Sequence, residues 1–422
     1  MGIEIKLKIG KDFKTISIPD DKILDVLTGP EIPELDQEEI KDQIVEAVRN
    51  SLPENIETKK IVILVADHTR LWTKGNLYVP VILNILLEEG AINENIKVII
   101  ALGTHVDTPI ERMHELVGEE TIKKVEVINS ANMNTDRLTY IGKTTHDTSL
   151  YLTSEACEAD HIIMYGGVLH HVIAGFGGGR KYIHPGIAGY DSIQQNHSLT
   201  IRADGSLHPK VCQAILEGNP VHEDMNEGAE MFLRDRTSLL INVAENGDGK
   251  IFYVAKGDWK KAFAEGCEQV NRAGRVFISR KADFVIFSAG GYEKDGQLYQ
   301  STKALFNSYG AVRDGGQIIM FAEAREGIGN IEFGEALKTY KGNMNVLGKK
   351  LIEKYSMPSY IAYRIIDILS RYNVTLVSNL SQEETEAFGF NYTNNIDEYV
   401  KNLKGKGYII PSAENILPLI EE

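Results

Sequence analysis

The chain is poor in several features that sort proteins quickly, and each shortage removes a class of function. Only three cysteines occur in 422 residues, Cys157, Cys212 and Cys267, and they form no C-x-x-C pair. That excludes a disulfide scaffold and fits reduced thiols in a cytoplasm. No apolar run approaches the roughly 18 residues of a membrane span. The opening M-G-I-E-I-K-L-K-I-G has no apolar signal core. Basic residues are in deficit, 45 Lys and Arg against 60 Asp and Glu, for a formal net charge of −15. Nucleic acid and anionic membrane both demand a basic surface, so neither is expected as a partner. An anionic ligand would need a local basic pocket. Also missing are an internal repeat and the H-x-x-x-H and H-E-x-x-H pairs of helix-borne metal sites. Tryptophan occurs twice, at Trp72 and Trp259.

What is present reads as an ordinary globular α/β protein, with 43% hydrophobic and 25% charged residues. Residues 3–9 alternate strictly, the period of a half-buried antiparallel strand. A helix is expected over 37–51. Lys60–Ala66 is a continuous apolar run, as in a strand covered on both faces. A helix near 79–89 and a strand over 96–102 follow. Thr108-Pro109-Ile110-Glu111 has the form of a capping box opening a helix to about Val117. Strands over 124–129 and 161–165 and a hairpin within 138–152 extend the series. Strand alternating with helix at this spacing predicts parallel sheets. A fresh series starts after Ala273, with a strand over 283–288, a helix over 298–312 and a strand over 317–322. The expectation is two α/β domains, 1–272 and 273–422, with mainly parallel sheets and an active-site cleft between them.

The densest chemistry lies between His170 and His197. Four histidines (His170, His171, His184, His197), a run of three glycines (Gly177, Gly178, Gly179) and the pair Arg180-Lys181 fall within 28 residues just past a predicted strand. Ligands bind outside the carboxyl ends of strands in open α/β sheets. Glycine N–H groups there could cradle an anion, with Arg180 and Lys181 adding charge. The loop is neither a P-loop nor a dinucleotide fingerprint, because Arg180 stands where each pattern needs another residue. Polar residues also cluster at two other strand ends, Asp67-His68-Thr69-Arg70 and Gly103-Thr104-His105. Tyr299-Gln300-x-x-Lys303 opens a later helix, with Gln300 and Lys303 on one face.

With these motifs and Gly290-Gly291-Tyr292, the chain resembles the nickel-pincer lactate racemase family over most of its length. The resemblance implies an isomerase acting on a 2-hydroxy acid, lactate first. The same chemistry on a larger hydroxy acid or sugar acid is the alternative, and a non-catalytic nucleotide- or metal-binding protein a further one. It implies a nickel-pincer nucleotide, a pyridinium-3,5-bisthiocarboxylic acid mononucleotide carrying nickel, supplied by cofactor-synthesis proteins. On this resemblance Lys181 is the covalent tether, His197 the nickel ligand, and His105 and His171 the acid/base pair. Asp67, Thr69, Gly177, Gly178, Gly179 and Arg180 are placed on the cofactor side; Arg70, Tyr299, Gln300 and Lys303 are placed around the substrate. Leu71, Val106-Asp107 and Gly177 depart from the family pattern, and the second domain has no tryptophan. These departures bear on the substrate more than on the mechanism.

Overall fold

The computed structural model describes residues 2–292 and 294–421. The chain divides into two compact units, Met1–Glu31 with Ile201–Leu207 and Ala273–Glu422, and Ile32–Thr200 with His208–Arg272. This differs from the two consecutive segments expected. The first 31 residues belong with the C-terminal portion, and so does the short segment 201–207.

The reason lies in the partners of the first strands. β1 (Gly2–Ile9) and β2 (Asp12–Pro19) form an antiparallel hairpin, and β3 (Ile23–Val26) follows. Alternation puts Ile5, Leu7, Ile16 and Ile18 on one face. That face packs on Phe284, Ile286, Ile319 and Phe321 of the later sheet. Apolar area of this kind is stabilising wherever it is removed from water, whatever the sequence separation.

The second unit carries the loop of interest. It contains β4 (Ile61–Ala66), β5 (Ile96–Ala101), β6 (Glu126–Asn129), the hairpin β7 (Leu138–Lys143) and β8 (Ser149–Thr153), and β9 (His161–Gly167). The two-residue strands β10 (His170–His171) and β11 (Gly175–Phe176) come next. β12 (Thr237–Glu245) and β13 (Ile251–Gly257) complete the set. Six strands form one sheet in the order β13-β12-β9-β4-β5-β6, parallel except for β13. β4 is buried along all but its last residue, as its unbroken apolar run requires. Helices Gln37–Asn50 and Gly75–Glu88 cover one face, burying Ile40, Ile44, Val79, Ile82 and Leu86 against Ile61, Ile63 and Val65. Asp36 caps the first of these in a full capping box with Glu39.

In the first unit β14 (Arg275–Ile278) pairs with β19 (Leu417–Ile420). β15 (Ala282–Ser288), β16 (Val312–Phe321), β17 (Asn373–Val377) and β18 (Gly407–Ile410) join β3 in a parallel sheet, ordered β17-β16-β15-β18-β3. Helix Leu298–Ser308 stops short of the expected Val312, which already begins β16. The predicted capping box at Thr108 does not form. The Asn129 side chain holds the Thr108 backbone, donating to its carbonyl at 2.9 Å and accepting from its N–H at 3.2 Å. Helix follows only over Ile110–Arg112, as a 3₁₀ turn, and His114–Val117. Among the described residues no helix is long and apolar enough to cross a membrane.

One strand residue makes stability depend on pH. His161 of β9 is fully buried, its Nδ1 2.8 Å from Thr237 Oγ1, and burial pushes its pKa down to about 4. The unfolded chain then takes up the proton first, so this contribution is complete above about pH 6.5. It erodes as pH falls toward 4. At pH 5 the loss is expected to be about 2 kcal/mol. Urea unfolding at pH 7.5 and 5.0 checks this, and His161→Leu should narrow the difference.

Candidate active site

Topology sets the site before any side chain does. From β4 the chain steps to β5 and β6 on one side, then returns to place β9 and β12 on the other. This reversal at β4 opens a crevice outside the strands' carboxyl ends, the place where ligands bind in open α/β sheets. Neighbouring strands lie about 4.8 Å apart, so residues just past β4, β5 and β9 are brought together. They are the Asp67–Arg70 turn, His105, and His170–His171.

Asp67 follows β4 directly and organises two of these segments. Its Oδ1 accepts from the Thr69 N–H at 3.3 Å and the Thr69 hydroxyl at 2.6 Å. Its Oδ2 accepts from His105 Nδ1. Burial alone would raise the Asp67 pKa, but the hydrogen bonds from His105 and Thr69 hold it below the usual carboxylate range. An ionised Asp67 accepts the Nδ1–H of His105, which leaves the imidazole lone pair at Nε2. The His105 side chain is 49% exposed, so that lone pair is accessible. Arg70 donates to the Thr69 carbonyl at 3.0 Å and hydroxyl at 3.1 Å. Among the described residues no carboxylate pairs with it.

In the glycine-rich loop the side chains do something other than expected. Arg180 is fully buried and stacks on the Phe263 ring at 4.4 Å. It donates to the carbonyls of Ala174 (2.6 Å), Phe176 (2.9 Å) and Gly178 (3.3 Å). Its guanidinium is spent on the loop's own backbone, so it is not the exposed charge an anion cradle requires. The Gly177 N–H goes to the Leu169 carbonyl and the Gly179 N–H to Asn242 Oδ1. Gly178, at φ +81°, is needed because a Cβ there would sit 2.5 Å from Asn242 Oδ1 and 2.7 Å from the Gly167 carbonyl. These glycines serve close packing. Arg180→Met should therefore cost on the order of 3–5 kcal/mol, since it leaves buried carbonyls unpaired. Urea unfolding measures it, and a loss under 1 kcal/mol would refute the bracing role.

Lys181 points elsewhere, with its Nζ 2.8 Å from His171 Nε2. His171 Nδ1 accepts from the N–H groups of Ile173 (3.3 Å) and Ala174 (3.2 Å). A neutral imidazole accepting at Nδ1 carries its proton at Nε2. The Nε2–H then donates, and Lys181 must accept as an uncharged amine. Burial, with Arg180 and Arg70 nearby, pushes the Lys181 pKa far below the usual lysine range. Burial, with Lys181 and Arg70 nearby, likewise pushes the His171 pKa well below the usual histidine range. An uncharged lysine amine is a nucleophile.

His197, near the end of helix Tyr190–Ser198, is 6% exposed. Burial, followed by Lys181 and His184, brings its pKa down to about 3, so it is a neutral imidazole. His184 is fully buried beside Asp224, and His170 pairs with Asn271, so neither enters the site. In the other unit, Gln300 and Lys303 are exposed on one face of helix Leu298–Ser308. Tyr299 packs edge-on against Phe333, and burial pushes its hydroxyl up to about 12. The sequence reading missed Asn196, Asp224 and Asn242. Their polar side chains are fully buried, which no local pattern signals.

The lactate racemase N-terminal domain family matches residues 9–207, and the lactate racemase C-terminal domain family matches 278–408. The chain belongs to the lactate racemase family. Membership makes it an isomerase. The lactate racemase of Thermoanaerobacterium thermosaccharolyticum is 29% identical over 429 residues, 98% of each chain. That of Lactiplantibacillus plantarum is 31% identical over 273 residues, 65% of this chain and 62% of that one. The structure of the lactate racemase apoprotein from T. thermosaccharolyticum aligns over 100% of both chains, with TM-score 0.85 and 28% identity. A Thermotoga maritima protein, 18% identical with TM-score 0.64 over 94% of this chain and 100% of that one, shares the fold.

Proposed function

We propose that this racemase inverts carbon 2 of a small 2-hydroxy acid, with lactate the first substrate to test. One observation carries the reading. Two imidazoles in opposite proton states, and a guanidinium that no carboxylate pairs with among the described residues, sit at the ends of adjoining strands. His105 holds a lone pair at Nε2; His171 holds a proton there. Inversion needs one group to take the hydroxyl proton of one enantiomer and a second to serve its mirror image. The two exchange roles when the reaction runs backward. Arg70 supplies a planar donor pair for the substrate carboxylate. Tyr299, Gln300 and Lys303 remain assigned to the substrate.

The nickel-pincer nucleotide implied by the resemblance fits these residues. Lys181 is the uncharged amine that an acyl-type linkage requires, and His197 is a neutral imidazole of the kind nickel accepts. When bound, that group supplies the hydride acceptor and donor, which spares the histidines from removing a weakly acidic Cα proton. The protein's share is to bind the carboxylate, hold the hydroxyl proton and fix the ring orientations.

The test uses protein co-expressed with the cofactor-synthesis proteins. Denaturing intact-mass analysis should show an adduct at Lys181, and chiral chromatography should show each lactate enantiomer converting to the other. Protein made without those partners should show neither. If adduct-bearing protein leaves every member of a panel of 2-hydroxy and sugar acids unchanged, the reading fails. Val106 and Asp107, both exposed beside His105, are where a substrate other than lactate would be distinguished.

A further inference from the structure

The helix that bears His197 carries a second polar residue whose orientation the structure fixes. Asn196 is fully buried. One end of its amide lies 3.0 Å from the Val221 carbonyl and 2.8 Å from Asp224 Oδ2. Both of those atoms accept, so that end must be the NH₂. The amide oxygen is thereby turned to the other side, 3.1 Å from His197 Nδ1.

Asp224 is constrained in turn. The Thr148 N–H donates to the Thr144 hydroxyl at 3.1 Å. That hydroxyl donates onward to Asp224 Oδ1, and the Thr148 hydroxyl donates to Oδ2 at 2.9 Å. The direction of every bond therefore propagates from the loop between β7 and β8, through helix Pro220–Leu233, to the imidazole. An acceptor opposite Nδ1 requires a proton on Nδ1. A neutral imidazole has only one, so its lone pair lies on Nε2.

We infer that Asn196, locked by Asp224 and Val221, is a positioning residue: it holds His197 with its proton on Nδ1 and so designates Nε2 as the atom that takes a borderline divalent metal. This rests on the reading of His197 as the nickel ligand. The relay of carboxylate, amide and imidazole does what a carboxylate does directly behind many metal-bound histidines. It sets the tautomer and the ring plane, and loss of such a partner typically costs about 10–100-fold in metal affinity.

Histidine-selective ¹⁵N labelling of the protein made without cofactor partners tests the first half. The His197 ring is assigned by its disappearance in His197→Gln. Its long-range ¹H–¹⁵N pattern should show a protonated Nδ1 and an unprotonated Nε2, and a proton on Nε2 in the parent overturns the proposal. Asn196→Leu leaves the ring the Ile193 carbonyl as its other acceptor and should lower the share of rings protonated at Nδ1 relative to the parent. If that variant does not fold, the parent spectrum still decides. In protein loaded with the nucleotide, Asn196→Leu should keep the Lys181 adduct but lose nickel to a competing chelator at about 10–100-fold lower chelator concentration than the parent. Equal nickel retention with the adduct in place overturns the proposal and leaves the proposed function standing. Absence of the adduct from the parent removes the nucleotide reading instead, and the ring spectrum alone then decides.

Discussion

Lys181→Ala should leave the protein at its bare chain mass and without racemase activity, even when the cofactor-synthesis proteins are present. The argument rests on hydrogen-bond direction. Two backbone N–H groups occupy His171 Nδ1, so its single proton faces Lys181 at 2.8 Å and the lysine must be an acceptor. An amine in that state is available for acylation at neutral pH. Lys181→Arg is the sharper variant. It keeps a long side chain but places a permanently charged, non-nucleophilic group against the Nε2–H, so neither adduct nor activity should return. Denaturing mass spectrometry separates the outcomes, and an adduct that persists in either variant would place the tether elsewhere.

The second large effect concerns the acid/base pair. His105→Ala and His171→Ala should each lower kcat/KM by ~10²–10⁴. The loss must be equal in both directions, because enantiomers have equal free energies and a catalyst cannot move the equilibrium between them. Asp67→Asn asks a finer question without emptying the site. Thr69 donates to Oδ1 through its N–H and hydroxyl, so an asparagine would place its oxygen there and turn its NH₂ toward His105 Nδ1. The imidazole would then accept at Nδ1 and carry its proton at Nε2, the wrong form for a base. A fall of ~10²–10⁴ in kcat is expected with the fold intact. Chiral assays on adduct-bearing variants provide the check. Racemisation by Asp67→Asn at the parent rate would refute the orienting role.

Much of this chain could be read from local pattern. Strictly alternating residues 3–9 form a strand, and the apolar run 61–66 is a covered one. These features report the environment of a few consecutive residues, which periodicity records directly. Thr108 shows the limit of the method. Its capping pattern is intact, yet the Asn129 side chain, 21 residues on, holds its backbone instead.

The residue types at the ends of β4, β5 and β9 follow from the order of amino acids alone, because strand, turn and side-chain chemistry are local properties. How those residues are used follows from packing in three dimensions. Arg180 and Lys181 are adjacent cations in the sequence, but one is closed inside its own loop and the other is an uncharged amine. Asn196 reads as an ordinary helical residue until Asp224 and Val221 fix its amide. The first hairpin reads as part of the N-terminal domain until its apolar face meets Phe284 and Phe321. For Asn196 and the hairpin the deciding partner is remote along the chain, and for Arg180 and Lys181 it is the way their own loop closes; direction of donation, desolvation and shared apolar area depend on distance in space rather than on order in sequence.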